Sequence, residues 1–485
     1  MKRIVSVMRR QAFSIFAMCA ATAISLPAQT FTPLLAFDFA NGGAPEAPLV
    51  QGTDGDLYGT TGYGGANTWG TVFKITPSGT LTSLYSFCSQ TNCTDGRIPL
   101  AGLVQGTDGN FYGTTSEGVE QGCTIINGCG TVFKITPAGA LTTLYSFSTG
   151  VQPRGALVQA PNGDFYGTTN STVFKITPSG TLTALYTFCS QMNCLDGSSP
   201  NGLILAASGD FYGTTESGGA NNFGTVFKLT PSGELTTLHS FCAQGAYPTC
   251  SDGESPYAGL VQATNGDFYG TTGYGGTNGA GTVFEITPAG TLTTLYAFCS
   301  QSQCADGDNP LAALIQTSNG DFYGTTSYGG PNAAGGTIFE ITPSGTLTTL
   351  HGFCWHSDCT TGSAIPTGLV QATNGHFYGG TEFGGRVPCD GGRNGCGTVF
   401  SLSVGLGPFV KTQTTAGPVG AAVNILGTNL TGSTSVSFNG TAAAFTVVSP
   451  SLITTTVPAG ATTGKIKVVT PGGTLSSNVP FEVLP

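Results

Sequence analysis

Phe111-Tyr112-Gly113-Thr114-Thr115, followed by Gly130-Thr131-Val132-Phe133-Lys134-Ile135-Thr136-Pro137 and Leu141-Thr142-Thr143-Leu144-Tyr145-Ser146-Phe147, is the stretch that decides how this chain folds. Its tetrad Tyr-Gly-Thr-Thr begins at Tyr58, Tyr112, Tyr166, Tyr212, Tyr269 and Tyr323 and returns as Tyr378-Gly379-Gly380-Thr381, at spacings of 54, 54, 46, 57, 54 and 55 residues. Self-similarity at a near-constant period marks a repeat array, here of seven copies.

Within the second copy, β-branched and aromatic runs bounded by turn residues place four short strands at residues 102–105, 111–115, 131–136 and 141–147. Asp54-Gly55, Asp108-Gly109, Asn162-Gly163, Ser208-Gly209 and Asn265-Gly266 join first strands to second ones and supply the positive φ of a tight hairpin. Pro77-Ser78-Gly79 and Pro137-Ala138-Gly139 turn the third strand into the fourth. Each copy therefore reads as a four-stranded antiparallel meander. So small a sheet cannot bury both faces alone, and seven of them predict an all-β, seven-bladed β-propeller, whose radial closure protects sheet edges. A β-solenoid is the alternative, but its coils are far shorter than this unit. The seventh copy stops after a third strand at 398–403, while residues 34–39 look like a fourth strand without companions. An N-terminal strand that completes the last blade is the expectation.

Composition agrees with this reading. Of 485 residues only 8% are charged, whereas Gly reaches 75 and aromatic residues 10%, a turn-rich β composition. Residues 1–28 read as a secretory signal, with Lys2, Arg3, Arg9 and Arg10 ahead of an apolar run over 12–26. Cys19 would suit lipid attachment, but Met18 before it is a poor match. Removing four cations takes the formal charge from −10 to −14, a surface that repels phosphate backbones and anionic membranes. Nucleic acid is excluded as a partner on this ground, and no other segment would span a bilayer. Of the 15 Cys, fourteen form seven close pairs: Cys88/Cys93, Cys123/Cys129, Cys189/Cys194, Cys242/Cys250, Cys299/Cys304, Cys354/Cys359 and Cys389/Cys396. Even, local pairing is what an oxidising compartment produces. Zinc is the rival, yet each pair offers two ligands and the four His are scattered, so no metal and no cofactor is expected.

The recurrent strings Gly-Asp-Phe-Tyr-Gly-Thr-Thr, Gly-Thr-Val-Phe-Lys-Ile-Thr-Pro and Leu-Thr-Thr-Leu-Tyr-Ser-Phe resemble the bacterial choice-of-anchor tandem repeat GloVer over residues 31–403. The resemblance implies a surface or secreted repeat protein and no established activity. Residues 407–485 resemble an IPT/TIG domain through Gly417-Pro418, Val423-Asn424-Ile425-Leu426-Gly427-Thr428, Val436-Ser437-Phe438-Asn439-Gly440, Val457-Pro458-Ala459-Gly460 and Val479-Pro480-Phe481. That resemblance implies an immunoglobulin-like sandwich used as a spacer or adhesive module. The expected organisation is a signal peptide at 1–28, a propeller at 31–405 and an IPT/TIG domain at 407–485, in a monomer that is exported and more readily freely secreted than anchored.

In an antiparallel meander, alternate connections lie at opposite ends. The turns between strands one and two and between three and four are short and uniform, so the long, variable connections and all seven cysteine pairs crowd one face. Tyr63, Tyr274, Tyr328 and Phe383, each before Gly-Gly, belong to that face, where exposed rings would stack on sugars; plugging gaps between blades is the competing role. Glu117, Glu216 and Glu382 occupy nearby loop positions and are the only suggestive acids. Lys74, Lys134, Lys175 and Lys228 would lay their stems along outer blade edges. Asp95-Gly96 and Asp306-Gly307 would fit a calcium site, though ordinary turns explain them. No nucleophile elbow, His-Glu-x-x-His or dinucleotide fingerprint occurs. The expected function is non-catalytic binding or adhesion to a polysaccharide or another surface protein. The alternatives are a carbohydrate-active hydrolase or lyase, and a structural envelope component.

Overall fold

A computed structural model describes residues 29–118, 129–148, 150–244, 250–331, 335–354, 362–385, 389 and 395–484. Among these residues there is no α-helix, only strands and three short 3-10 turns. The first sheet consists of Val50–Gln51, Leu57–Thr61, Thr71–Ile75 and Leu81–Ser86, hydrogen-bonded in chain order and antiparallel. Five further sheets repeat the same order. The inner strand is only two residues long and the second is wholly buried, whereas the fourth is largely solvated. The apolar content of each copy follows this gradient from centre to rim.

The seventh sheet is assembled from both ends of the array. Val370–Gln371, Phe377–Phe383 and Thr398–Ser403 are joined by Thr30–Ala36, which runs antiparallel to Thr398–Ser403. This strand starts earlier and ends sooner than the expected 34–39. Pro33 is tolerated because an edge strand has donors to spare, and the register slips between Pro33 and Leu35. Asp38 and Asn41 exchange N–H···Oδ1 bonds of 2.9 and 3.1 Å, and Phe39 sits at φ 66°, so residues 38 and 39 form a turn.

Neighbouring sheets pack through two repeated aromatic contacts. The tetrad Tyr of one copy stacks on the Phe preceding the tetrad of the next, as in Tyr58–Phe111, Tyr112–Phe165 and Tyr212–Phe268 at 3.9–4.0 Å between centroids. The Phe after the outer strand meets the next copy's third-strand Phe edge-on, as in Phe87–Phe133 and Phe298–Phe339 at 5.2 Å. Such pairs add about 0.5–1.5 kcal/mol each beyond area burial. Between the seventh and first sheets, Phe37 plays this part against Phe73 at 5.3 Å, while Leu57 replaces the Phe facing Tyr378. One buried cluster thus holds Phe37, Leu57, Phe73, Tyr378 and Val399, so the last sheet packs on the first and the stack closes on itself. The tetrad Gly is required by this packing: a Cβ at Gly113 would lie 2.6 Å from the Phe133 ring and 2.8 Å from Leu103.

A polar contact repeats beside the aromatic ones. The inner-strand Gln of one copy accepts a backbone N–H from the tight turn of the copy before it: Thr53 to Gln105, Thr107 to Gln159, Ala207 to Gln262, Thr264 to Gln316 and, across the closure, Thr373 to Gln51, all at 2.9–3.0 Å. At the same end of the sheets, Lys74, Lys134 and Lys228 pair with Asp56, Asp108 and Asp210 at 3.0, 2.9 and 2.7 Å. These ammonium groups anchor turns rather than laying their stems along the rim as expected, because the strand register brings each beside a turn carboxylate.

Residues beyond 410 form two four-stranded sheets around one core that includes Val423, Ile425, Val436, Phe438, Ile453 and Ile466. This unit sits against the tight-turn end of the array. Ser451 Oγ donates to the Thr53 carbonyl at 2.8 Å, Gln413 Nε2 to Gln105 Oε1 at 3.1 Å, and the Thr373 and Thr428 hydroxyls bond at 2.8 Å.

Candidate functional site

The opposite end carries the long connections, and their sequence explains their order. Asp95, Asp196, Asp252 and Asp306 are completely buried, each fully used as an acceptor. Asp306 takes bonds from Tyr296 Oη at 2.8 Å, from Ser300 N and Oγ at 2.9 Å and from Gln301 N at 3.2 Å. For Asp252, burial works against the charge, but His239 at 3.0 Å and two backbone N–H groups outweigh it and hold the carboxyl below its usual range. These Asp-Gly pairs are keystones of loops. Disulfides brace the same connections, Cys88–Cys93, Cys189–Cys194, Cys242–Cys250 and Cys299–Cys304, while Cys389–Cys396 braces the connection between the second and third strands of the last copy. Cys129 and Cys354 are bonded as well, and their expected partners Cys123 and Cys359 lie outside the described residues.

At the centre of the array is a cavity of about 610 Å³. Its wall comes from all seven copies, through residues 46–48, 100–102, 154–158, 201–205, 257–260, 311–313 and 367–368. Every one of these segments ends in the inner strand or leads into it, so the cavity lies on the axis around which the sheets are arranged. Ala or Gly recurs in the wall of every copy because adjacent segments touch: a Cβ on Gly155 would stand 2.8 Å from the Gly202 Cα.

The axial wall carries one concentrated polar sector. Arg154 Nη1 pairs with Glu216 Oε2 at 2.7 Å, with both side chains roughly one-third exposed. Pairs so placed add at most about 1 kcal/mol to stability, so this one orients groups more than it holds the fold. The Tyr257 hydroxyl lies within reach of the Glu216 charge, and its pKa is raised by burial first and then by that carboxylate. The Tyr257 ring meets Tyr274 edge-on at 6.1 Å. Close approach of Gly273 makes room for it, since a Cβ there would fall 2.7 Å from the Tyr257 ring.

The expected site residues are therefore divided. Tyr274 and Tyr328 are exposed, at 43% and 38%. Tyr63 and Phe383 are half-buried and border a small cavity against Cys389 and Cys396, together with Glu382. Glu117 is paired with Arg97 at 2.9 Å, with little of either side chain exposed, and Arg97 lies over the Trp69 ring at 4.4 Å. Glu117 and Glu216 are thus committed to cations. Of the seven expected residues, Tyr63, Phe383 and Glu382 share that small cavity, whereas Glu216 and Tyr274 approach each other only by way of Tyr257. Loop composition does not single out Arg154 or Tyr257; aligning the copies on Pro45, Pro99, Pro153, Pro256 and Pro310 does, because each axial side chain follows one of these prolines.

The arrangement defines an all-β repeat protein of the disulfide-braced type found in oxidising compartments, with an open axial cavity at its loop end. The chain belongs to the Gloeobacter/Verrucomicrobia repeat family, whose model matches residues 19–193, 103–305, 170–387 and 248–447. No curated protein matches the sequence. Among solved structures, it is similar to the extracellular domain of a putative hybrid two-component system from B. thetaiotaomicron, at 12% identity and a TM-score of 0.50 over 82% of this chain and 45% of that one. The extracellular domain of a putative one-component system from the same organism is similar at 11% identity and a TM-score of 0.45, over 94% of this chain and 60% of that one. The chain thus spans less than two thirds of either neighbour, and the likeness to the first is one of fold. No helix among the described residues is long and apolar enough to cross a membrane.

Proposed function

We propose that this is an exported, non-catalytic binding protein: a signal peptide at 1–28, a seven-bladed β-propeller at 31–405 whose loop face engages a polysaccharide or another surface protein, and an IPT/TIG immunoglobulin-like spacer at 407–485. One observation carries the reading. The C-terminal unit occupies the tight-turn end through Ser451, Gln413 and Thr428, which leaves the cysteine-braced end, with its axial cavity and exposed Tyr274 and Tyr328, as the open working surface. Loops stiffened by disulfides and buried Asp keystones lose little entropy on binding, which favours recognition. The ion pairing of Glu117 and Glu216 weighs against a hydrolytic carboxylate pair, which needs one free acid and one free base.

The test is retention of labelled intact protein on arrayed glycans and on bacterial surface fractions. Tyr274→Ala and Tyr328→Ala are each expected to weaken binding roughly fivefold, the worth of about 1 kcal/mol per lost ring contact. Unchanged retention in both variants removes the exposed rings from the reading, and turnover of any arrayed glycan replaces binding with catalysis.

A further inference from the structure

The seven copies act as an internal alignment, and one position in them behaves unlike its neighbours. In five copies the residue after the repeat's Pro is Glu46, Leu100, Arg154, Tyr257 or Leu311, and each of these lines the axial cavity. The residue that follows is always small: Ala47, Ala101, Gly155, Ala258 or Ala312. Copies four and seven are one residue shorter here, so Asn201 and Thr367 fall at the small residue's place. The Thr325 hydroxyl bonds the Thr367 carbonyl at 3.4 Å as the Thr60 hydroxyl bonds that of Ala101 at 3.2 Å. Asn201 and Thr367 are buried and bonded within the wall, Asn201 Nδ2 to the Pro256 carbonyl at 2.6 Å. The two short copies are also the two with a Glu after the tetrad, Glu216 and Glu382, where four longer ones carry Gly62, Ser116, Gly273 and Ser327. In copy four, Glu216 pairs with Arg154 of copy three, and its charge reaches the Tyr257 hydroxyl of copy five. Packing demands would repeat around the ring; a position that differs in copies otherwise nearly alike answers to something without sevenfold symmetry.

We propose that the axial cavity takes the end of a neutral glycan, with Arg154, held by Glu216, and Tyr257 reading its hydroxyls and Leu100 and Leu311 meeting its C–H faces. This rests on the binding role assigned above to the loop face and names its ligand and its centre. The volume, about 610 Å³, lies in the range of small-ligand sites and admits a chain end of two or three sugar rings. A wholly apolar ligand would strip water from the Arg154–Glu216 pair without replacing its hydrogen bonds. An anionic one would face Glu46, with Arg154 already engaged by Glu216. A polyhydroxylated neutral ring satisfies both halves of the wall, since hydroxyls pair with fixed charges and aromatic rings accept C–H faces.

The experiment measures binding of neutral gluco-, xylo- and manno-oligosaccharides and of acidic uronate oligomers to the intact protein by calorimetry. Ala156→Trp fills the cavity from an exposed wall position, Tyr257→Phe removes one hydroxyl while keeping the ring, and Tyr328→Ala alters only the rim. Expected are binding of a neutral oligosaccharide, loss of at least about tenfold with Ala156→Trp and a smaller loss with Tyr257→Phe, the range of one or two hydrogen-bonded contacts. Thermal unfolding of each variant shows that the fold is kept. A ligand whose binding survives Ala156→Trp but falls with Tyr328→Ala overturns the axial site and leaves the loop-face reading standing. Preference for the acidic oligomers overturns the proposed ligand class. No binding to any glycan or surface fraction overturns both.

Discussion

His239 and His351 stand at outer-strand positions where other copies carry Tyr85, Tyr145, Tyr186 and Tyr296, and they meet different surroundings. His239 bonds the buried Asp252, whereas the sequence places Thr361 where that Asp would be in the following copy, and His351 Nε2 has no hydrogen-bond partner among the described residues. The His351 ring instead stacks on Phe31 of the N-terminal strand, 3.8 Å away and nearly parallel. Burial pushes its pKa down to about 4. Above the ordinary imidazole value both folded and unfolded chains hold it neutral, so its contribution is complete there. As pH falls from about 6.5 towards 4, the unfolded chain takes up a proton that the folded one refuses, and stability drops by about 2 kcal/mol after allowance for the solvent its edge still meets. Thermal unfolding between pH 7 and 4.5 should show this loss, and His351→Phe should reduce it; equal slopes in the two proteins would contradict the assignment. The Tyr-to-His change is visible in the sequence, but only the Phe31 contact, 320 residues away, makes it a buried neutral group.

Among the strands, the glutamine contact is missing at two junctions: Gln371 Oε1 has no hydrogen-bond partner among the described residues, and between copies three and four both partners are replaced. Copy three carries Pro161 where the others offer a backbone N–H, and copy four carries Leu205 where the others place the accepting Gln. A proline has no proton to give, so a Gln there would bury an unsatisfied oxygen. Restoring both partners with Pro161→Thr and Leu205→Gln should rebuild the contact seen between Thr107 and Gln159. Urea unfolding of the two single variants and the double one is expected to give a coupling of about 1 kcal/mol in favour of the pair; additive effects would mean that the two substitutions are unrelated. Strand positions, turn residues and the tetrad were legible at this level, because each depends on a few neighbouring residues. The extent of the clasp strand was not: its pairing with Thr398–Ser403 is set by a partner at the far end of the array, and its end by the Asp38–Asn41 turn.

For the molecule as a whole, the disulfides lie outside the sheets and close loops with sequence separations of 5 to 8 residues. Rings so small constrain the unfolded chain by about 2 kcal/mol each, while the interfaces between sheets rest on buried aromatic clusters that contain few of these cysteines. Reduction should therefore leave the β-sheet circular dichroism and cooperative unfolding in place and speed proteolytic cutting within the loops; limited proteolysis with and without reductant checks this, and collapse of the sheets on reduction would refute it. Reading the chain alone determined the period, the four strands per copy, the turn chemistry and which cysteines are near enough to pair, since all of these are written within one copy of about 54 residues. Tertiary structure decided which end the C-terminal unit covers and which side chains share the axis. Arg154, Glu216 and Tyr257 belong to three different copies, and only the arrangement of the sheets around a common centre brings a residue from each to the same point.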